Sequence, residues 1–134
     1  MTNVEKVTDF INKAQTYYLA TVDGDQPKCR PLGFILEDNG KIYFGVGKHK
    51  SVYRQMQSNS KVEICACIGM EFLRYYGKSV FTNDKKVKEK AFGAMPALRD
   101  LYNAQTGKEL GIFFLEDATA EFYGAEGIET SFSI

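Results

Sequence analysis

The sequence predicts a mainly β fold, a small closed or partly open antiparallel barrel of six or seven strands with α-helices at its periphery. Three observations predict it. Two hairpin signals, Asp23-Gly24 and Asn39-Gly40, separate three short runs rich in β-branched and aromatic residues. Similar runs recur as far as Tyr123, with no linker, repeat or low-complexity tract in the chain. So many short strands would leave long unpaired edges unless the sheet curls on itself.

Thr2-x-x-Glu5 reads as a capping box, and Val4, Val7, Phe10, Ile11 and Ala14 recur at helical spacing, so residues 3–14 are expected to be a helix. Tyr17 to Val22 reads as the first strand. Lys28 to Leu36 is the returning strand, and Pro31 places it at an edge or a bulge. Ile42 to Val46 is a third strand. Val52, Tyr53 and Met56 form the apolar side of a short helix over residues 50–58. Val62 to Ile68 and Phe72 to Phe81 are strands, with Gly77 marking a bend or a close approach. Asn83-Asp84 caps a helix carrying Val87, Ala91 and Phe92. Pro96 opens another, with Leu98, Leu101 and Tyr102 on one side. Ile112 to Leu115 and Thr119 to Tyr123 are two last strands separated by Glu116-Asp117, and the tail from Gly124 has no clear pattern.

A chain of 134 residues with 44% hydrophobic content is expected to be one packed domain over residues 1–134. Its 17 basic and 17 acidic residues cancel, which excludes a bulk electrostatic footprint for nucleic acid. No run is long enough to span a bilayer, and the charged N-terminus has no signal-peptide core, so a cytoplasmic location is expected. Cys29, Cys65 and Cys67 read as buried reduced thiols, and a single histidine supplies a metal site poorly. No metal is expected.

The chemistry gathers between Lys41 and Ile68. A strand ends in Gly45-Val46-Gly47, followed by Lys48-His49-Lys50-Ser51 and a helix. Exposed N–H groups at a helix start favour an anion, and lysines add formal charge. Lys48 and Lys50 are the candidate cations, against the alternative of two solvated loop lysines. Arg30 sits in an apolar strand between Cys29 and Pro31, where a charge turned inward needs a partner. Arg74 is expected to pair with Glu63 or Glu71. His49, between two lysines, reads as exposed and idle, and Tyr75 and Tyr76 as packing residues on opposite faces. No Ser/His/Asp set, paired-carboxylate motif or phosphate loop is present, and no catalytic residue is assigned.

Several segments together resemble the pyridoxamine 5′-phosphate oxidase-like FMN-binding split-barrel family, in its short bacterial branch. They are Leu19-Ala-Thr-Val-Asp-Gly-Asp25, Arg30-Pro-Leu-Gly-Phe34, Ile42-Tyr-Phe44, Lys50-x-Val-Tyr-x-Gln55, Asn59-x-x-Val62-Glu63 and Leu73-Arg74-x-x-Gly77. The resemblance covers nearly the whole chain. It implies a six- to seven-stranded antiparallel split β-barrel and a homodimer with FMN in a cleft at the subunit interface. Matched onto this sequence, Arg30, Lys50 and Ser51, with Lys48 beside them, take the phosphate. Pro31, Leu32, Gly45, Val46 and Val52 border the cofactor, and Phe72 meets the ring from the partner subunit. Val46 stands where the family often has Thr, and Ser60 where it usually has Pro.

The activity implied is an FMN-dependent oxidoreductase acting on a small molecule, with NADH or NADPH as a candidate reductant. A flavin-binding or sensing protein without turnover is the alternative. A heme-handling relative is a more distant one, with His49 as its only available axial histidine. The family's C-terminal substrate-binding Arg and His are absent, since no Arg follows Arg99 and no His follows His49. That argues against pyridoxine phosphate oxidation.

Overall fold

The computed structural model describes residues Met1–Ile134. Helix α1 (Asn3–Ala14) begins as the capping box requires, with Thr2 Oγ1 accepting from the Glu5 N–H at 3.1 Å. The hairpin β1 (Tyr17–Asp23) and β2 (Gln26–Leu32) follows. β3 (Ile35–Asp38) and β4 (Lys41–Gly47) form the second hairpin. Then come α2 (Ser51–Ser58), β5 (Lys61–Ile68), β6 (Glu71–Thr82), α3 (Lys85–Ala94), α4 (Leu98–Leu101), β7 (Leu110–Gly124) and β8 (Gly127–Ser133).

All the strands belong to one antiparallel sheet ordered β2-β1-β5-β6-β7-β4-β3, with β8 added on the C-terminal half of β7. The two ends of this path, β2 and β3, are consecutive in the chain yet do not pair. That gap is the split in the barrel. α1 packs across β3, β4 and β5. It brings Val7 and Ile11 into a core with Tyr17, Leu19, Phe44, Ile64, Leu73 and Phe113. A smaller core joins Phe34, Tyr43 and Leu110 to Val87, Ala91 and Leu98, seating α3 and α4 on the other side of β4. β4 is therefore buried on both faces, and its sequence shows no polar alternation.

Four expectations are corrected. The segment from Lys28 to Leu36 is two strands, because the chain leaves the edge of the sheet at Gly33-Phe34 and Phe34 turns into the smaller core. The last two expected strands are one, since Asp117 at φ 51° absorbs the polar Glu116-Asp117 pair as an irregularity inside β7. The tail forms β8, so the sheet has eight strands rather than six or seven. The helix after Pro96 is one short turn. It buries Leu98 and leaves Leu101 in solvent. Pro31 does lie on an edge strand, β2.

Candidate functional site

The register of β2 against β1 decides where Arg30 goes. Arg30 lies opposite Leu19, which is fully buried, so its side chain points inward at the open edge of the barrel. There Nη1 donates to the Leu19 carbonyl at 3.0 Å and to Thr21 Oγ1 at 2.7 Å, and Nη2 donates to Gln55 Oε1 at 2.9 Å. Thr21 Oγ1 in turn donates to the same Gln55 oxygen at 2.6 Å. All these acceptors are neutral. The guanidinium takes part in no ion pair, and two of its five donors have no partner in the chain. Burial pulls its pKa down from the usual arginine value, although it stays charged.

Helix α2 faces this group across the gap. Gly47 ends β4, the Lys50 N–H donates to the Gly47 carbonyl at 3.1 Å, and the helix starts at Ser51. No side chain caps it, and the amides of Ser51 and Val52 make no hydrogen bond within the chain. The Lys50 amine is also without an ion-pair partner. Arg30, Pro31, Leu32, Gly45, Val46, Lys50, Ser51 and Val52 line one cavity of about 320 Å³, together with Gly47 and Tyr102. No carboxylate lines it. Two cations, a hydroxyl and two open amides therefore converge with nothing to neutralise them, which is the donor set an oxyanion of charge about −2 requires.

One expected residue, Lys48, does not line this cavity. Lys48 turns away to Glu109. Its Nζ lies 2.9 Å from Glu109 Oε2, and its N–H donates to the Glu109 carbonyl at 2.9 Å. The lysine holds the Glu109 carboxyl below the usual carboxylate range. Lys48 thus latches the β4–α2 turn to the start of β7. Phe72 lies on the outer face of the sheet, stacked on Tyr123 with ring centroids 4.4 Å apart. Arg74 pairs with Glu63 at 2.8 Å, as the cross-strand reading expects. Tyr75 is buried in the core, and Tyr76 donates to Glu121 Oε2 at 3.1 Å on the outer face.

Sequence reasoning missed Thr21, Gln55, Gly47 and Tyr102. Thr21 was legible by alternation with Leu19. Gln55 was marked only as the end of the Lys50-x-Val-Tyr-x-Gln55 segment, with no role attached. His49 folds back over Gly47. An added Cβ would stand 2.6 Å from the imidazole and 3.1 Å from the Tyr102 hydroxyl. Tyr102 reaches the cavity from the segment after α4, and the sequence marked it only as part of an apolar helix side. A second cavity, of about 430 Å³, adjoins the first at Tyr102 and is lined by Lys88 of α3, Lys108 and Glu109. The largest cavity, about 470 Å³, lies over Gly77, and there Lys61 and Lys78 are offset by Glu63 and Asp117.

The model of the family described as pyridoxamine 5′-phosphate oxidase matches residues 4–112, most of the chain. The chain belongs to that family. The match runs from α1 through the start of β7 and so includes every residue lining the cation-lined cavity. Solved structures carry the fold of the family over the remaining residues. A NimC/NimA family protein from Clostridium acetobutylicum is 27% identical, with a TM-score of 0.89 over 100% of this chain and 95% of that one. General stress protein 26 from Bacillus anthracis str. Sterne is 14% identical, with a TM-score of 0.74 over 100% of both chains. A protein described as FAD-binding from Mesorhizobium loti is 13% identical, with a TM-score of 0.63 over 92% of this chain and 96% of that one. Among curated proteins none matches the chain. No helix is long and apolar enough to cross a membrane.

Proposed function

We propose that this chain is an FMN-binding flavoprotein that passes electrons to a small molecule. The observation that carries the reading is the uncompensated pair Arg30 and Lys50 beside the open start of α2. The FMN 5′-phosphate would be held by the Arg30 fork, the Lys50 amine, the Ser51 hydroxyl and the amides of Ser51 and Val52. Pro31, Leu32, Val46 and the buried Gly45 would border the rest of the cofactor. Bound FMN supplies the redox chemistry, and the protein supplies position and electrostatics.

A cavity of about 320 Å³ is at the small end for a cofactor site, which supports a second copy of the chain supplying the remaining wall. The outer face offers the surface for it. Tyr18 is exposed there, on the same face as the Phe72–Tyr123 stack. Phe72 of one copy would then approach the flavin of the other. Cys29 and Cys67 are exposed and Cys65 is half-buried, contrary to the expectation of buried thiols, because all three lie on the outward side of β2 and β5; as free thiols they accord with a reducing, cytoplasmic setting.

The test is the visible spectrum of the purified protein after incubation with FMN and gel filtration. A retained flavin spectrum, lost in Lys50→Ala, is the expected result. No retained flavin would overturn the reading. Stopped-flow mixing with NADH or NADPH then separates an oxidoreductase, whose flavin bleaches, from a flavin sensor, whose flavin does not.

A further inference from the structure

The sheet is interrupted a second time, away from the split. β7 pairs with β4 only as far as Phe113, opposite Phe44, and with β8 only from Thr119, opposite Ser133. Between these points no strand lies along that side of β7. The slot left there is a cavity of about 220 Å³. It shares no lining residue with the cation-lined cavity. Ile42, Leu115 and Ile134 line it, and all three belong to the larger core or pack against it. Lys41, Glu116 and Asp117, which are exposed, mark its rim.

Tyr75 gives the slot its chemistry. It is only 2% exposed and lines this cavity, yet its hydroxyl makes no hydrogen bond within the chain. A buried tyrosine hydroxyl ordinarily has a partner. Tyr17, as deeply buried, donates to the Phe34 carbonyl at 2.6 Å. Every buried side-chain polar atom that is sealed from solvent is hydrogen-bonded, so the free Tyr75 hydroxyl is not sealed and opens onto the cavity that the residue lines. Burial pushes its pKa up to about 12, so at neutral pH it keeps its proton and can both donate and accept.

Size and charge narrow the occupant. An apolar cavity of about 150 Å³ holds a benzene ring, so a slot of about 220 Å³ takes one substituted ring and excludes a flavin or a nucleotide. The buried walls disfavour a charged group. The rim carries both signs, with the Lys41 ammonium resting over the Phe114 ring at 4.3 Å and Asp117 lying 3.8 Å from Lys78, so it selects neither.

We propose that this slot binds an uncharged monocyclic phenol, with its ring between Ile42, Leu115 and Ile134 and its hydroxyl hydrogen-bonded to that of Tyr75. The site is separate from the flavin site and does not require a bound flavin.

The test is titration of the purified chain with phenol and with toluene, which carries a methyl group in place of the hydroxyl, followed by methyl NMR. Shifts of the Ile42, Leu115 and Ile134 methyl signals place the ligand. The expected result is that phenol binds about threefold to tenfold more tightly than toluene, the gain that one neutral hydrogen bond gives. Tyr75→Phe, which keeps the ring in the core, should abolish that preference while leaving the site open to both ligands. Equal affinity for phenol and toluene in the unsubstituted chain would overturn the proposal whether or not the variant folds. So would a preference that survives Tyr75→Phe, methyl shifts confined to other residues, or no binding of either ligand. Tighter binding of benzoate than of phenol would assign the slot to an anion held by Lys41 and overturn the uncharged ligand.

Discussion

Arg30 and Gln55 join an edge strand to a helix through one bond, Nη2 to Oε1 at 2.9 Å, and the acceptor is an amide where a carboxylate would fit. The bond orients the guanidinium without neutralising it. Thr21 strengthens the arrangement by donating to the same oxygen. An aspartate or glutamate there would hold the arginine as well and spend its charge inside the chain.

Gln55→Glu therefore separates orientation from charge. The variant keeps a partner for Arg30 and should fold, yet FMN affinity should fall by more than about tenfold as the phosphate meets a compensated cation and a new anion. Thermal unfolding of the apoprotein and FMN titration check the two halves. Undiminished FMN binding would move the phosphate away from Arg30.

Lys50→Ala and Arg30→Ala should each weaken FMN binding by about 1.5–3 kcal/mol, roughly tenfold to over a hundredfold. They should differ in the apoprotein. Lys50 is exposed and unpaired, so its removal leaves stability unchanged, whereas Arg30→Ala strips partners from Thr21, Gln55 and the Leu19 carbonyl. His49→Ala should change affinity less than either. The reverse order in a calorimetric titration would show that the phosphate site is elsewhere.

The expected and observed structures agree where one short segment decides the outcome. The Thr2–Glu5 cap, the two hairpin turns and the inward alternation of β1 are local, and they were legible. The break at Gly33-Phe34 was not, because it depends on Phe34 leaving for a core built by α3 and α4. β8 was hidden because most of its side chains face solvent and give no apolar alternation. In the site, Arg30, Lys50 and Ser51 were readable as chemistry. Lys48 was misread because its partner, Glu109, lies far along the chain and arrives only when β7 pairs with β4. Tyr102 was read as a packing residue of the helix after Pro96, and only the whole α3–α4 segment brings it to the cavity.

Gly77→Ala should destabilise the chain by about 1–3 kcal/mol, the usual cost of overpacking. An added Cβ would stand 2.8 Å from the Glu116 carbonyl oxygen and 3.0 Å from the Ala118 Cα, both backbone atoms that cannot swing aside. The register of β6 on β7 shifts at this point. Urea unfolding measures the loss, and a midpoint equal to that of the unsubstituted chain would show that the bulge is slack.

Stability should fall at alkaline pH. Burial raises the Tyr17 phenol well above its ordinary value and pushes Tyr75 up to about 12. Both are protonated in the folded chain while the unfolded chain ionises near pH 10, so the unfolded state binds fewer protons above that pH. Stability is complete below about pH 10 and declines above it, by about 1.4 kcal/mol per pH unit for each such group until its folded pKa is reached. Tyrosinate absorbance against circular dichroism checks this. At least two of the eight tyrosines should ionise only as the ellipticity is lost.

The chain should sediment as a dimer at micromolar concentration. Its 18 aromatic residues (10 Phe, 8 Tyr) exceed what a small barrel can enclose, and the Phe72–Tyr123 stack remains on the outside. A monomer with FMN bound would contradict the shared cleft.

The pairing of β4 with β7 also sets a timetable for synthesis. Arg30, Thr21 and Gln55 all lie in the first half of the chain and can meet as soon as the β1–β2 hairpin and α2 have emerged. Gly45, Val46 and Gly47 gain their neighbours only when Leu110, Gly111 and Ile112 are made. Contacts that distant in sequence form slowly and late. A nascent chain released before β7 would carry the arginine clamp without the wall opposite it, so completion of the cavity is a step that follows translation.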